Sequence, residues 1–270
     1  MSRKSIIIKA AIISAIVISL PFICSETLSE VRYSISSDKI SAPVKLAFIS
    51  DLHNTRYGKN MSELIGSIDR FSPDVVILGG DLFDMYWGEE NSLLFAKTLA
   101  AKYPCCYALG NHEFKYYDNE RIKSGAAEIG LTVLDGKYKD ITASNGGKVR
   151  IIGIDGAGWK EQLRSAKDAV SDDITSVLVN HYPEEFPELN SLGFDIILSG
   201  HSHGGQWRFP PFINGVYSPG EGLFPKYAGG LYEENGSKMI VSRGLQRCCR
   251  DIIAPRVFNR PEVVFITIDK

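Results

Sequence analysis

The sequence predicts an α/β protein, on two observations. Short runs rich in Val and Ile recur along the chain, and the early ones are separated by segments of helical length. The runs are VKLAFIS (44–50), DVVILGG (74–80), CCYALG (105–110), VRIIGID (149–155), TSVLVN (175–180), FDIILSG (194–200), KMIVSRG (238–244) and EVVFITI (262–268). Each is too short for a helix and reads as a buried strand. Between them, KNMSELIGSIDRF, EENSLLFAKTLAAKY, YDNERIKSGAAEIG and a stretch near KEQLRSAKDAVSDD read as helices, and SNGGK (144–148) as a hairpin turn. Such alternation gives one mostly parallel sheet with helices on both faces, or two such sheets packed as a sandwich.

At 270 residues, 44% hydrophobic and with a net charge of -2, the chain can bury one sizeable core. The charge indicates no nucleic-acid partner, and no protein partner is evident. Residues 1–4 are a short basic N-terminus, and residues 5–24 a hydrophobic segment of anchor or signal type. Bulky Phe22 and Ile23 leave no good cleavage site before Cys24, so an uncleaved membrane anchor is expected. The basic flank would stay in the cytoplasm and everything after Cys24 would be extracytoplasmic. Cleavage would instead give a secreted or periplasmic protein. Residues 25–43 form a tether with a short strand, in which Val31, Tyr33 and Ile35 alternate, and residues 44–270 form one domain. The adjacent pairs Cys105-Cys106 and Cys248-Cys249 lack zinc-site spacing and are either buried thiols or a disulfide.

Chemistry gathers where the strands end. Asp51 and His53 follow the first domain run, Asp81 and Asp84 the second, Asn111, His112 and Glu113 the third, His181 the fifth, and His201 and His203 the sixth. Ligands of α/β sheets bind beyond the carboxyl ends of strands, so residues far apart in sequence are expected to meet in one crevice. Carboxylate, amide and imidazole donors suit Mn, Fe, Zn or Mg rather than a thiolate-bound metal. Asp51, His53, Asp81, Asn111, His181, His201 and His203 are more donors than one tetrahedral ion needs. They fit two ions sharing a bridging carboxylate.

In this order, SDLH, GGDLFD, LGNHE, NHYP and GHSHGGQ resemble the calcineurin-like metallophosphoesterases. The resemblance spans about 225 residues, nearly everything beyond the tether. It implies a four-layer α/β/β/α sandwich of two mixed sheets flanked by helices. It also implies two divalent ions, Mn foremost, with Fe, Zn or Mg as alternatives. Asp51, His53 and His203 would bind one ion, Asn111, His181 and His201 the other, and Asp81 would bridge them. His112 would act on the leaving-group oxygen, Asp84 would orient His112, and a metal-bound hydroxide would attack phosphorus. Glu113 reads as a supporting residue.

The tail from GGQWRFPPF to RPEVVFITI is similar to a membrane-associated bacterial branch of that family, which includes phosphodiesterases and UDP-diacylglucosamine pyrophosphohydrolases. This implies hydrolysis of a phosphodiester or pyrophosphate bond in a lipid- or nucleotide-linked substrate. The alternatives are a phosphomonoesterase, or an idle domain that binds metal or ligand at the membrane. The protein Ser/Thr phosphatases fit less well, because Met85-Tyr86 stands where their pattern has Arg-Gly. Trp207, Arg208 and Arg243 are candidates for gripping a base, sugar or phosphate. Residues 204–230 are either a surface loop or the rim that selects substrate.

Overall fold

The computed structural model describes residues 26–84, 88–155, 159–247 and 255–270. Its strands are β1 (Ser29–Ser36), β2 (Val44–Ile49), β3 (Val75–Gly79), β4 (Cys105–Ala108), β5 (Thr132–Val133), β6 (Tyr138–Thr142), β7 (Lys148–Ile154), β8 (Thr175–Asn180), β9 (Ile196–Ser199), β10 (Tyr217–Ser218), β11 (Gly222–Leu223), β12 (Gly230–Glu234), β13 (Ser237–Val241) and β14 (Glu262–Asp269). Its helices are α1 (Ser62–Phe71), α2 (Glu90–Ala100), α3 (Asn111–Tyr116), α4 (Asn119–Glu128), α5 (Trp159–Asp168) and α6 (Phe186–Leu189). Every Val- and Ile-rich run of the sequence contains a strand, and three of the four expected helices form within the segments that predicted them, the fourth starting one residue earlier at Trp159.

Two six-stranded mixed sheets result, ordered β1-β14-β2-β3-β4-β5 and β12-β13-β9-β8-β7-β6. In the first, β2, β3, β4 and β5 run parallel; in the second, β7, β8, β9 and β13 do. The hairpin expected at SNGGK joins β6 to β7. Alternation along each strand sends side chains to opposite faces. Leu46 and Phe48 of β2, with Ile77 of β3, face Val177 and Val179 of β8 and Leu198 of β9 in a core between the sheets. Ala47 and Ile49 point the other way, into a core with Leu64 and Ile68 of α1 and Phe95 and Leu99 of α2. A third core packs Ile152, Leu178 and Ile197 against Ala166 of α5 and Phe186 of α6. Helix, sheet, sheet and helix are thus the four expected layers.

Strand β1 pairs in parallel with β14 along its whole length, from Ser29 with Glu262 to Ser36 with Asp269. Its alternation is the one seen in the sequence: Ile35 is buried, Val31 and Tyr33 are half-buried, and the residues between them are exposed. Ser67 and Arg70 of α1 both donate to Glu30.

The membrane-anchored, extracytoplasmic location requires correction. Among the described residues no helix is long and apolar enough to cross a membrane. The longest, α2, has 11 residues, about 16 Å at 1.5 Å per residue, against a hydrocarbon core of about 30 Å. The hydrophobic segment at 5–24 lies outside the described residues, as do Cys248 and Cys249. Cys105 and Cys106 are free and buried, and burial pushes both thiols up to about 12.

The core between the sheets should dominate stability. Ile77→Ala, which empties a fully buried site there, is expected to lower the unfolding free energy by about 2–5 kcal/mol, measured by urea denaturation. A loss below about 0.5 kcal/mol, the range of ordinary surface substitutions, would contradict this packing.

Candidate metal centre

The two sheets present the carboxyl ends of their parallel strands at one edge. β2 stops two residues before Asp51, β3 two before Asp81 and β4 three before Asn111; β8 stops directly before His181 and β9 two residues before His201. The chain turns sharply at these points. Asp51, His53, Asp81, His201 and His203 have φ of 51°, 46°, 53°, 63° and 47°. Left-handed backbone costs a non-glycine residue on the order of 1–3 kcal/mol, and such residues cluster at functional sites. Glycine is required where the loops touch: a Cβ on Gly110 would lie 2.2 Å from Asp81 Oδ1.

A buried carboxylate fastens two of the loops together. Glu113 in the first turn of α3 accepts hydrogen bonds from the amides of Asp81 and Gly110 at 2.9 Å through Oε2. Through Oε1 it accepts from Leu82 at 2.8 Å and Phe83 at 3.3 Å. The supporting role expected of Glu113 is therefore a clamp between the loops after β3 and β4.

Three sets of ligand atoms lie within 4.8 Å of one another: Asp51, His53 and His203; Asp81, His181 and His201; and His53, Asp81 and His112. The first holds the three residues expected at one ion; the second holds His181 and His201 of the other expected set together with Asp81 and without Asn111. His181 Nε2 stands 3.3 Å from Asp81 Oδ2 and 3.9 Å from Asp51 Oδ1, and His53 Nε2 stands 3.7 Å from Asp81 Oδ2. Asp81 thus sits between the two clusters. His181 Nδ1 donates to the Gly79 carbonyl at 2.8 Å, which leaves Nε2 facing the carboxylates. The His201 amide donates to Asp51 and the His112 amide to Asp81. Asn111 Oδ1 is buried and accepts no hydrogen bond among the described residues.

Asp84 faces His53 as well as the His112 it was expected to orient. Its Oδ2 is hydrogen-bonded to His53 Nδ1 at 3.2 Å and lies 3.8 Å from His112 Nδ1. The His53 and His112 rings meet edge to face at 4.4 Å, so one carboxylate serves both imidazoles. The imidazole of His112 is 23% exposed, while Asp51, His53, Asp81 and His181 are almost wholly buried.

The electrostatics fit a cation. Burial pushes the Asp51 carboxyl up. Burial would do the same to Asp81, but His181, with His53 and His112 beyond it, holds that carboxyl well below the usual range. Burial opposes charge on His181 as well, yet Asp81 and Asp51 raise it to about 10. Burial, reinforced by His181, pushes His201 down to about 3, and burial with His53 pushes His203 down. Neutral imidazoles are lone-pair donors, and Asp51 and Asp81, both facing His181 Nε2, are buried carboxylates that a cation would neutralise. The residues therefore fit divalent metal.

Residues 44–205 match the calcineurin-like phosphoesterase family. The chain belongs to that family. The uncharacterized metallophosphoesterase YkuE of Bacillus subtilis (strain 168) is 25% identical over 230 residues, which are 83% of this chain and 78% of that one. The phosphodiesterase YaeI of Escherichia coli (strain K12) is 27% identical over 238 residues, 84% of this chain and 83% of its own. The crystal structure of TT1561 of Thermus thermophilus covers 76% of this chain and 91% of its own, with a TM-score of 0.51 and 10% identity, a likeness of fold alone. This calcineurin-like phosphoesterase is accordingly a metal-dependent enzyme whose candidate ligands imply divalent ions.

The three residues expected to grip substrate are partly engaged in the tail itself. Trp207 bridges to Val257 and is 43% exposed. Arg208 donates to the Gly204 carbonyl and to Asn214 Oδ1, and Arg243 Nε is paired with Glu262. A Cβ on Gly204 (φ +65) would meet Asn259 Oδ1 at 2.4 Å, so the turn after His203 needs glycine there.

Removing the Glu113 clamp is expected to damage both stability and metal uptake. Glu113→Ala leaves buried amides without acceptors, each worth about 1–3 kcal/mol. The urea midpoint should fall and Mn2+ uptake by the purified chain should drop with it. An unchanged midpoint would show that the amides find other partners.

Proposed function

We propose that this calcineurin-like phosphoesterase hydrolyses a phosphodiester or pyrophosphate bond at a dinuclear centre. The observation that carries the reading is the pair of ligand clusters meeting at Asp81, with His112 at their solvent side. Asp51, His53 and His203 would hold one ion, Asn111, His181 and His201 the other, and Asp81 would touch both. Manganese is the first choice, with iron, zinc or magnesium as alternatives, because oxygen and imidazole donors are mixed. When bound, such ions supply Lewis acidity toward the phosphoryl oxygens and a nucleophilic water near neutral pH.

The chain's own residues do the rest. Asp84 accepts from His53 Nδ1, fixing the tautomer that turns Nε2 toward Asp81, and such partners orient metal-binding imidazoles. The Gly79 carbonyl does the same for His181. His112 is held by its backbone amide on Asp81 and carries its imidazole at the exposed side, where a substrate's leaving group would arrive. It would donate a hydrogen bond to the leaving oxygen and pass the proton as the P–O bond breaks. The similarity to YaeI, whose name is phosphodiesterase, supports diester over monoester substrates. A lipid- or nucleotide-linked phosphoester would use Trp207, Arg208 and Arg243, whose polar and aromatic groups flank the turn that carries His203.

With Mn2+ added, residues 26–270 should hydrolyse bis-p-nitrophenyl phosphate faster than p-nitrophenyl phosphate. The reverse preference would make this a monoesterase, and no turnover with any divalent metal would leave a domain that only binds. Chelation by EDTA should abolish turnover, and Mn2+ should restore it.

His112→Ala should lower kcat by about 10²–10⁴ while bound metal, measured by elemental analysis, stays at the wild-type level. Loss of metal in that variant would assign His112 to the ligand set instead.

A further inference from the structure

Asp155 ends the run VRIIGID, is fully buried, and belongs to neither ligand cluster. A buried carboxylate is costly unless it is paired and hydrogen-bonded, so its partners show what it holds. It follows β7 of the second sheet, yet its Oδ1 accepts from the amide of Leu109, just past β4 of the first sheet, at 3.1 Å. The next amide along, Gly110, donates to Glu113. The two amides preceding Asn111 are therefore gripped by two different buried carboxylates. Glu113 fixes the loop to Asp81 within the first sheet. Asp155 fixes it to the second sheet, whose strands β8 and β9 carry His181 and His201.

A closed circuit of polar contacts sets Asp155 itself. Lys123 of α4 stands 3.2 Å from Asp155 Oδ2 and donates to Asp135 Oδ1 at 2.7 Å. Gln162 of α5 donates to the same Asp135 oxygen at 2.9 Å, and its Oε1 accepts from the Asp155 amide at 2.8 Å. Burial, reinforced by Asp135, pushes the Asp155 carboxyl up to about 6, and Lys123 beside it opposes that shift.

We propose that Asp155, backed by Lys123, is a positioning residue that holds Asn111 against His181 and His201 across the two sheets, and so sets the affinity of one of the two metal positions. The proposal rests on the ligand assignment of the preceding subsection. Asp155 touches neither ion nor substrate; it acts through the Leu109 amide.

The test is Mn2+ binding to the purified full chain, followed by calorimetry and by electron paramagnetic resonance, which distinguishes a spin-coupled pair from an isolated ion. Asp155→Ala should weaken one Mn2+ by about 10–100-fold, the usual effect of losing a partner outside the ligand set. The second Mn2+, on Asp51, His53 and His203, should bind as in the wild type, and the coupled signal should give way to an isolated-ion signal. Asp155→Asn retains an acceptor for the Leu109 amide and should restore most of the lost affinity. Lys123→Met tests the backing contact in a chain that keeps the carboxylate, and should weaken the same ion if Asp155→Ala fails to fold. Wild-type affinities in Asp155→Ala, equal weakening of both ions, or no effect of Lys123→Met on either ion would each overturn the proposal. A wild-type chain that takes up no Mn2+ would overturn the metal-centre reading and this inference with it.

Discussion

The crowding of Asp51 and Asp81 at the seam between the two sheets is the constraint that the rest of the site answers. Both carboxylates are almost fully buried, and a buried anion must be compensated locally or it takes up a proton. Each receives one backbone amide, from His201 and His112 respectively. That is too little for two charges, and the balance falls on the imidazoles. His181, within 3.9 Å of both carboxylates, is pushed up by them, while burial pushes His201 and His203 down. A divalent ion would neutralise the two carboxylates and could take the imidazole lone pairs as well. The arrangement that makes the carboxylates uncomfortable alone is the one that would make them good ligands.

Sandwich architecture explains how residues 150 positions apart, such as Asp51 and His201, come into hydrogen-bond contact. Parallel strands finish at the same edge of a sheet, and the Leu46, Phe48 and Ile77 side packs on Val177, Val179 and Leu198, so the two edges adjoin. The left-handed residues at the strand ends are unfavourable on their own. They persist because three cores hold the strands behind them, and because Glu113 gathers four amides of the loops into one carboxylate.

Much of this was legible in the sequence, for physical reasons that differ by feature. The strands could be read because runs such as DVVILGG are buried on both faces and need no polar alternation. The candidate ligands stood out because Asp, Asn and His after such runs have few structural uses in combination. The short strands β5, β10 and β11 could not, since two residues carry no periodicity. The strand β12 is mostly half-exposed and polar, and the helix α3 has only six residues, too few for a helical period to show. Asp84 was read as a partner of His112; its contact with His53 was not legible, because His53 and His112 are brought side by side only by the fold. Asp155 was hidden entirely. Its partner is a backbone amide in another sheet, and an amide has no signature in a sequence.

The ties between the sheets run in both directions. His181 and His201, on the second sheet, donate to the Gly79 carbonyl and the Asp51 carboxylate of the first. Leu109, on the first, donates to Asp155 of the second. The separation of the ligand clusters is therefore not a property of any one loop. It is the offset between two sheets, fixed by the apolar core between them and locked at the rim by these three contacts. Hydrophobic packing brings the sheets together without direction; directed hydrogen bonds at the edge then select the one offset at which Asp81 can serve both clusters. Stability and metal geometry depend on the same surface of contact, with the apolar part supplying most of the energy and the polar part supplying the register.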